Sequence, residues 1–128
     1  MPLAQVNGID MYYETMGEGP PLVLAHGVGG NHAIWWQQTK YFAQWYQVIT
    51  FDHRGFALTN DVDGGPGRAA FVDDLEGLLD FLKLDKVTLI AQSMGGRTCL
   101  GFAVKSPERV NALVMAATSG CFEVSGAL

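Results

Sequence analysis

The sequence predicts an α/β domain built on a mostly parallel sheet, with an antiparallel hairpin at its N-terminus. Short apolar runs of the kind that form strands buried on both faces recur along the chain, and segments with helical periodicity separate them. This alternation implies right-handed crossovers and helices on both faces of the sheet. A length of 128 residues provides one core and leaves little room for a second domain.

The hairpin is predicted from strands at residues 3–7 and 9–15, joined by Asn7-Gly8. Both central residues of a type I′ turn need positive φ, which this dipeptide tolerates. Two prolines then precede an apolar run at residues 22–25, the first strand of the parallel set.

A helix is predicted over residues 31–46, begun by Asn31. Large side chains recur along one side of it, namely Trp35, Phe42 and either Trp45 or Tyr46. The next buried strand covers residues 48–51, and the polar, glycine-rich stretch after it is long enough to be a functional loop.

The second helix has the clearest periodicity in the chain. Its apolar face holds Phe71, Leu75, Leu78, Leu79 and Leu82, and its acidic residues are predicted to face away: Asp73, Asp74, Glu76 and Asp80. A strand at residues 87–90, a helix at 94–105 and a last strand at 112–116 complete the alternation.

Composition and charge argue against several classes of protein. The net charge of −5 is the wrong sign for binding phosphates, so no nucleic-acid partner is expected. No apolar run reaches the roughly 20 residues of a membrane span, and no basic segment precedes an apolar stretch at the N-terminus. We therefore expect a cytoplasmic protein without membrane contact. Cys99 and Cys121 are too few for a disulfide framework or a zinc site and are interpreted as small buried or half-buried residues; no cofactor is expected.

The strongest chemical signal is the segment A-Q-S-M-G-G at residues 91–96, between a buried strand and a helix. A serine on that sharp turn presents its hydroxyl above the sheet, and small neighbours let strand and helix approach. Ser93 is therefore a candidate nucleophile. The alternative is a plain strand-to-helix turn capped by this serine.

A second signal is H-G-V-G-G at residues 26–30, after the first parallel strand. Backbone N–H groups of such a loop can stabilise an oxyanion, and the donors here would be those of Val28 and Met94. His26 is interpreted as a structural imidazole that supports the loop with Gly27, while Gly95 lets the helix pack closely.

The third signal, F-D-H-R-G-F at residues 51–56, is interpreted as loop architecture. Asp52 and Arg54 are expected to form an exposed ion pair worth under about 1 kcal/mol. His53 is interpreted as a histidine that is either solvated or satisfied within its loop.

Together, the three motifs in this order resemble the α/β-hydrolase family, and most of all its single-domain esterases, lactonases and carbon–carbon bond hydrolases. The resemblance covers essentially the whole chain and implies a serine hydrolase of ester or related small acyl substrates. It implies Ser93 as nucleophile and Val28 and Met94 as oxyanion hole. Ala91 replaces the usual first glycine of the serine turn, and Gln92 stands where a histidine is frequent.

The base and acid of such a site are missing from their expected place. The family's order is serine, acid, histidine, whereas all three histidines precede Ser93 and the only later carboxylates are Glu108 and Glu123. We therefore expect residues 1–128 to be a partial α/β-hydrolase core, truncated after about the sixth strand. Its exposed edge would self-associate or pair with a missing C-terminal half. A non-catalytic binding or assembly module on the same scaffold remains the alternative.

Overall fold

The computed structural model describes residues 2–118, and in them one six-stranded sheet runs in the order β1-β2-β4-β3-β5-β6. The strands are β1 (Leu3–Val6), β2 (Ile9–Met16), β3 (Pro21–Ala25), β4 (Gln47–Phe51), β5 (Val87–Gln92) and β6 (Val110–Ala116). β1 and β2 are antiparallel, and β3 to β6 are parallel to one another. The predicted α/β sheet with its N-terminal hairpin is confirmed.

The hairpin turn has the backbone that its sequence predicts. Asn7 and Gly8 have φ values of 48° and 82°, and Val6 pairs with Ile9 across the turn. These are the positive values that a type I′ turn requires, so the dipeptide sets the register between β1 and β2.

Helices cover both faces of the sheet, as expected. Helices α2 (Phe71–Phe81) and α3 (Gly95–Lys105) pack on one face, and their buried side chains join those of β1 to β5 in the larger core cluster. The short helix α1 (Trp36–Phe42) covers the other face together with Trp35, over Leu22, Leu24 and Val48.

The predicted single helix over residues 31–46 is wrong in its extent. A 3₁₀ helix at His32–Trp35 leads into α1, although Asn31 does cap the start by accepting a bond from the Ala33 N–H at 2.8 Å. After α1 the chain must turn to enter β4, whose Gln47 N–H bonds to the Pro20 carbonyl at 3.1 Å. The helix therefore ends before the aromatic pattern of the sequence does.

Strand β6 lies at the edge of the sheet. Its Val114 pairs in register with Ile90 and is 49% exposed. It lies on the same face of the sheet as α1, but α1 packs over β3 and β4. Within residues 2–118, neither this edge nor this face of β6 has a covering element. The exposed apolar edge expected from the sequence is present in this part of the chain.

Candidate active site

The candidate site lies where β3 and β5 end side by side. Ala25 and Ala91 are paired partners on these adjacent parallel strands, so the loops that follow them leave the same edge of the sheet. Ligands of open α/β sheets bind at this edge. The structure thus brings together all the residues predicted for the site, namely His26, Gly27, Val28, Ser93, Met94 and Gly95.

Ser93 lies on the turn between β5 and α3 with a φ of +51°. Its N–H donates to the Ala116 carbonyl at 3.1 Å, and its own carbonyl accepts from the Gly96 N–H at 2.9 Å. A left-handed backbone is costly for any residue with a Cβ and persists where the surroundings enforce it. Such strain is typical of a serine held on a sharp strand-to-helix turn.

Close packing behind the turn explains the small residues around Ser93. A Cβ added to Gly95 would collide with the backbone carbonyl oxygen of Ala25, so α3 can start against β3 only with glycine there. Ala91 is fully buried in β5. A methyl group is accommodated at that position, so the replacement of the usual glycine leaves the turn intact.

The loop after β3 is held through the carbonyl of Gly27. This oxygen accepts from His26 Nδ1 at 2.8 Å and from the Gly30 N–H at 3.1 Å. The carbonyl of Gly27 and the N–H of Val28 belong to one planar trans peptide and point in opposite directions. The two bonds therefore set the direction of the Val28 N–H.

Met94 precedes α3 and has a helical backbone. The first N–H groups of a helix have no partner within it and carry the positive end of its dipole. In residues 2–118, neither the Met94 N–H nor the Val28 N–H donates to a protein acceptor.

A chain of hydrogen bonds fixes the tautomers of two buried histidines. The His53 backbone N–H donates to His26 Nε2 at 2.9 Å, so that nitrogen is unprotonated and the proton of neutral His26 sits on Nδ1. His53 Nδ1 lies 3.1 Å from the same nitrogen and is the donor in that contact. His53 Nε2 then accepts from the Thr98 hydroxyl at 2.8 Å, which links both loops to α3.

Burial keeps both imidazoles neutral. Loss of solvation lowers the pKa of His26, against the smaller opposing effect of its bond to Gly27, and lowers the pKa of His53 well below 6.5. His53 also packs against the rings of Phe51 and Phe71. His26 has the contacts of a structural imidazole in its loop, whereas the ring of His53 bonds to His26 and Thr98, both outside its own loop.

The predicted ion pair between Asp52 and Arg54 is wrong. Asp52 is fully buried and accepts from the His32 ring Nδ1 at 2.8 Å, from the His32 N–H at 2.7 Å and from the Leu58 N–H at 3.1 Å. It therefore joins its own loop to the start of the helical segment before α1.

Arg54 turns to the other side and is 4% exposed. Its guanidinium bonds to both carboxylate oxygens of Asp74 at 2.9 Å and to Asp61 at 2.9 Å. Asp74 is 2% exposed, so the expectation that it faces solvent on α2 is also wrong. Helical periodicity predicts that Asp74 lies on the polar face of α2, but the buried guanidinium of Arg54 packs against this carboxylate. Nothing in the sequence pairs residues so far apart.

None of the three histidines is available as a base for Ser93. His26 and His53 are 0% and 1% exposed, and both ring nitrogens of each are in hydrogen bonds. His32 lies between Asp52 and Glu14, at 2.8 and 3.5 Å. Glu123, the late carboxylate, lies outside the described residues, as does Cys121.

A cavity of about 450 Å³ opens beside the loop after β3. It is lined by Val28, Gly29, Gly30, Ile34, Trp35, Gln38 and Gln92. Its walls carry amide and apolar side chains and no charged group, a lining suited to the uncharged part of a small molecule.

No cluster of three or more His, Cys, Asp or Glu side chains in residues 2–118 could hold a metal ion. No helix in this part of the chain has the length and apolar character to cross a bilayer. Cys99 is buried, as expected, and burial raises its thiol pKa to about 12, so it is not a nucleophile.

Comparisons with known proteins agree with this geometry. Residues 20–125 match the profile of the alpha/beta hydrolase fold. The chain is 36% identical over 126 residues to a 2-hydroxy-6-oxo-2,4-heptadienoate hydrolase of Pseudomonas putida, covering 94% of this chain and 46% of that protein. It is 35% identical over 112 residues to a pimeloyl-[acyl-carrier protein] methyl ester esterase of Aliivibrio fischeri, covering 88% and 42%.

Among solved structures, an N-acyl homoserine lactone degrading enzyme superposes with a TM-score of 0.86 at 32% identity, covering 91% of this chain and 45% of that one. The chain therefore belongs to the alpha/beta hydrolase fold family. It spans about half the length of the relatives it matches, and the names of these relatives describe enzymes.

Proposed function

We propose that this chain carries the nucleophile and the oxyanion hole of a serine hydrolase acting on esters or related acyl compounds. Ser93 Oγ attacks the substrate carbonyl, and the oxygen that becomes anionic accepts hydrogen bonds from the N–H groups of Val28 and Met94. The observation that carries the proposal is the left-handed backbone of Ser93 between β5 and α3.

The proton of Ser93 must go to a base, and we place that base outside this chain. All three histidines of the sequence are committed to structural bonds. Because the chain spans about half the length of its relatives, a further polypeptide segment is the source we propose for the histidine and its carboxylate partner. The ester and lactone substrates in the relatives' names support acyl chemistry here.

The test is phosphonylation by a fluorophosphonate, with imidazole in solution as a replacement base. We expect a single adduct on Ser93, formed faster as imidazole is raised. Ser93→Ala should abolish it, while Ser106→Ala, a serine at the far end of α3, should label like the parent. A folded chain that gains no adduct at any imidazole concentration would contradict the proposal and favour the non-catalytic module.

A further inference from the structure

Gln92 is a rigid point in the sheet directly before the candidate nucleophile. It is the last residue of β5 and pairs in register with Ala116 of β6, while its neighbour Ala91 pairs with Ala25 of β3. Strands on both sides hold β5, so the backbone of Gln92 has little freedom. Its side chain lines the cavity beside the loop after β3.

The Gln92 side chain reaches across to that loop. Its Oε1 accepts a hydrogen bond from the Gly27 N–H at 3.1 Å. A Cβ added to Gly27 would lie 2.8 Å from this oxygen and 2.9 Å from Ser93 Cβ. Only glycine leaves room for the contact, and the loop therefore lies directly against the serine turn.

This bond completes the fixation of the two peptide planes that meet at Gly27. The plane before it carries the Gly27 N–H, held by Gln92; the plane after it carries the Gly27 carbonyl, held by His26 and Gly30. With both planes held, the φ and ψ of Gly27 are set. The direction of the Val28 N–H follows from them, because the peptide is planar.

We infer that Gln92 is a positioning residue that joins the serine turn to the oxyanion loop and aims the Val28 N–H at the oxygen that develops charge. This inference rests on the proposed function for the role of Val28. The requirement is for an acceptor of the right length at position 92, since the group it holds is a backbone donor.

The experiment compares variants that keep or remove this acceptor. Gln92→Met preserves the length of the side chain and removes the oxygen, whereas Gln92→Glu keeps an oxygen acceptor. Gln38→Met is the matched control, because it removes the other amide that lines the same cavity. Amide hydrogen exchange of Gly27 is measured by NMR in each full chain, with the Leu89 amide in β5 as an internal measure of the intact fold.

We expect Gln92→Met to speed exchange of the Gly27 amide about tenfold relative to Leu89, the size of one neutral hydrogen bond. Gln92→Glu and Gln38→Met should exchange like the parent. Unchanged Gly27 exchange in Gln92→Met, or an equal rise in Gln92→Glu, would overturn the inference. This readout does not involve Ser93, so it fails or succeeds independently of the proposed function.

A second readout connects the bond to chemistry. With imidazole present, the rate of Ser93 phosphonylation should fall about tenfold in Gln92→Met and stay at the parent rate in Ser106→Ala, because one oxyanion donor is misaligned only in the former. Equal rates in the two variants would overturn the positioning role. Absence of labelling in the parent would instead count against the proposed nucleophile.

Discussion

At the scale of the residue, the backbone of Ser93 is the most unusual feature of the site. A φ of +51° places a residue with a Cβ in the left-handed region, on the turn between β5 and α3. Its neighbours impose this conformation, because Gly95 packs against the carbonyl of Ala25 and the backbone of the turn cannot move away.

This strain predicts that Ser93→Gly is more stable than Ser93→Ala. Both variants lose the hydroxyl, and only glycine is relaxed at positive φ, so we expect glycine to have the higher free energy of unfolding by about 1 kcal/mol. Urea denaturation measures it. Ser106, with a φ of −137°, is the control, and there alanine should be the more stable of the pair. The same order at both positions would contradict a strained Ser93.

A second prediction concerns the buried ion pair between Arg54 and Asp74. Arg54→Met leaves the carboxylate of Asp74 buried without its cation, and we expect the free energy of unfolding to fall by about 3 to 5 kcal/mol. Lys105→Met is the control, since Lys105 pairs with Asp73 at the surface and its removal should change stability little. An equal, small loss in both variants would show that the Arg54 pair is not the link between its loop and α2.

At the scale of the element, the loops after β3 and β4 act as one unit through His26 and His53. Both imidazoles are neutral in the folded chain because burial lowers their pKa values below 6.5. The unfolded chain binds protons more readily, so their contribution to stability is complete above about pH 6.5 and is lost as pH falls towards the folded pKa values.

We therefore expect the free energy of unfolding to decline between pH 6.5 and about 5, above the range where most carboxylates titrate. His53→Gln removes one of the two groups and should flatten that slope. Denaturant titrations at several pH values measure it. A stability that is constant across this range in the parent would contradict the role given to the two buried histidines.

The helices and strands were predictable from sequence where turn geometry and burial determine them. Asn7-Gly8 identified the hairpin, and the apolar runs identified the buried strands, because turn geometry and two-sided burial leave direct marks in sequence. Helix α1 ended earlier than its aromatic pattern suggested, since the approach to β4 governs it.

The candidate site was predictable to a similar degree. Short motifs marked Ser93 and the loop at Val28 because close packing around the two turns requires glycine, which leaves a mark in the sequence. The partners of Arg54 and the contact of Gln92 with Gly27 were not, since tertiary packing alone brings such distant residues together.

At the scale of the whole molecule, β6 is an uncovered edge strand of the sheet within residues 2–118. The strand has seven residues without a charged side chain, and Val114 is 49% exposed on it. Unprotected apolar edges of this kind recruit another strand.

We predict that the chain self-associates through β6 unless a further segment covers it. Sedimentation velocity should show concentration-dependent association, and Val114→Lys should weaken it by placing a charge on the exposed face. Val104→Lys, an exposed position on α3, is the control. A monomer at every concentration, with little binding of an apolar dye, would contradict this prediction.

We propose that Ser93, Val28 and Met94 form one nucleophile and oxyanion hole. The most direct measurement compares the amide NMR resonances of the chain before and after phosphonylation in the presence of imidazole. We expect one adduct on Ser93 and downfield shifts of the Val28 and Met94 amide protons, because both groups would donate to the phosphonyl oxygen. An adduct on Ser93 that leaves these two resonances unmoved, or an adduct on another residue, would contradict it.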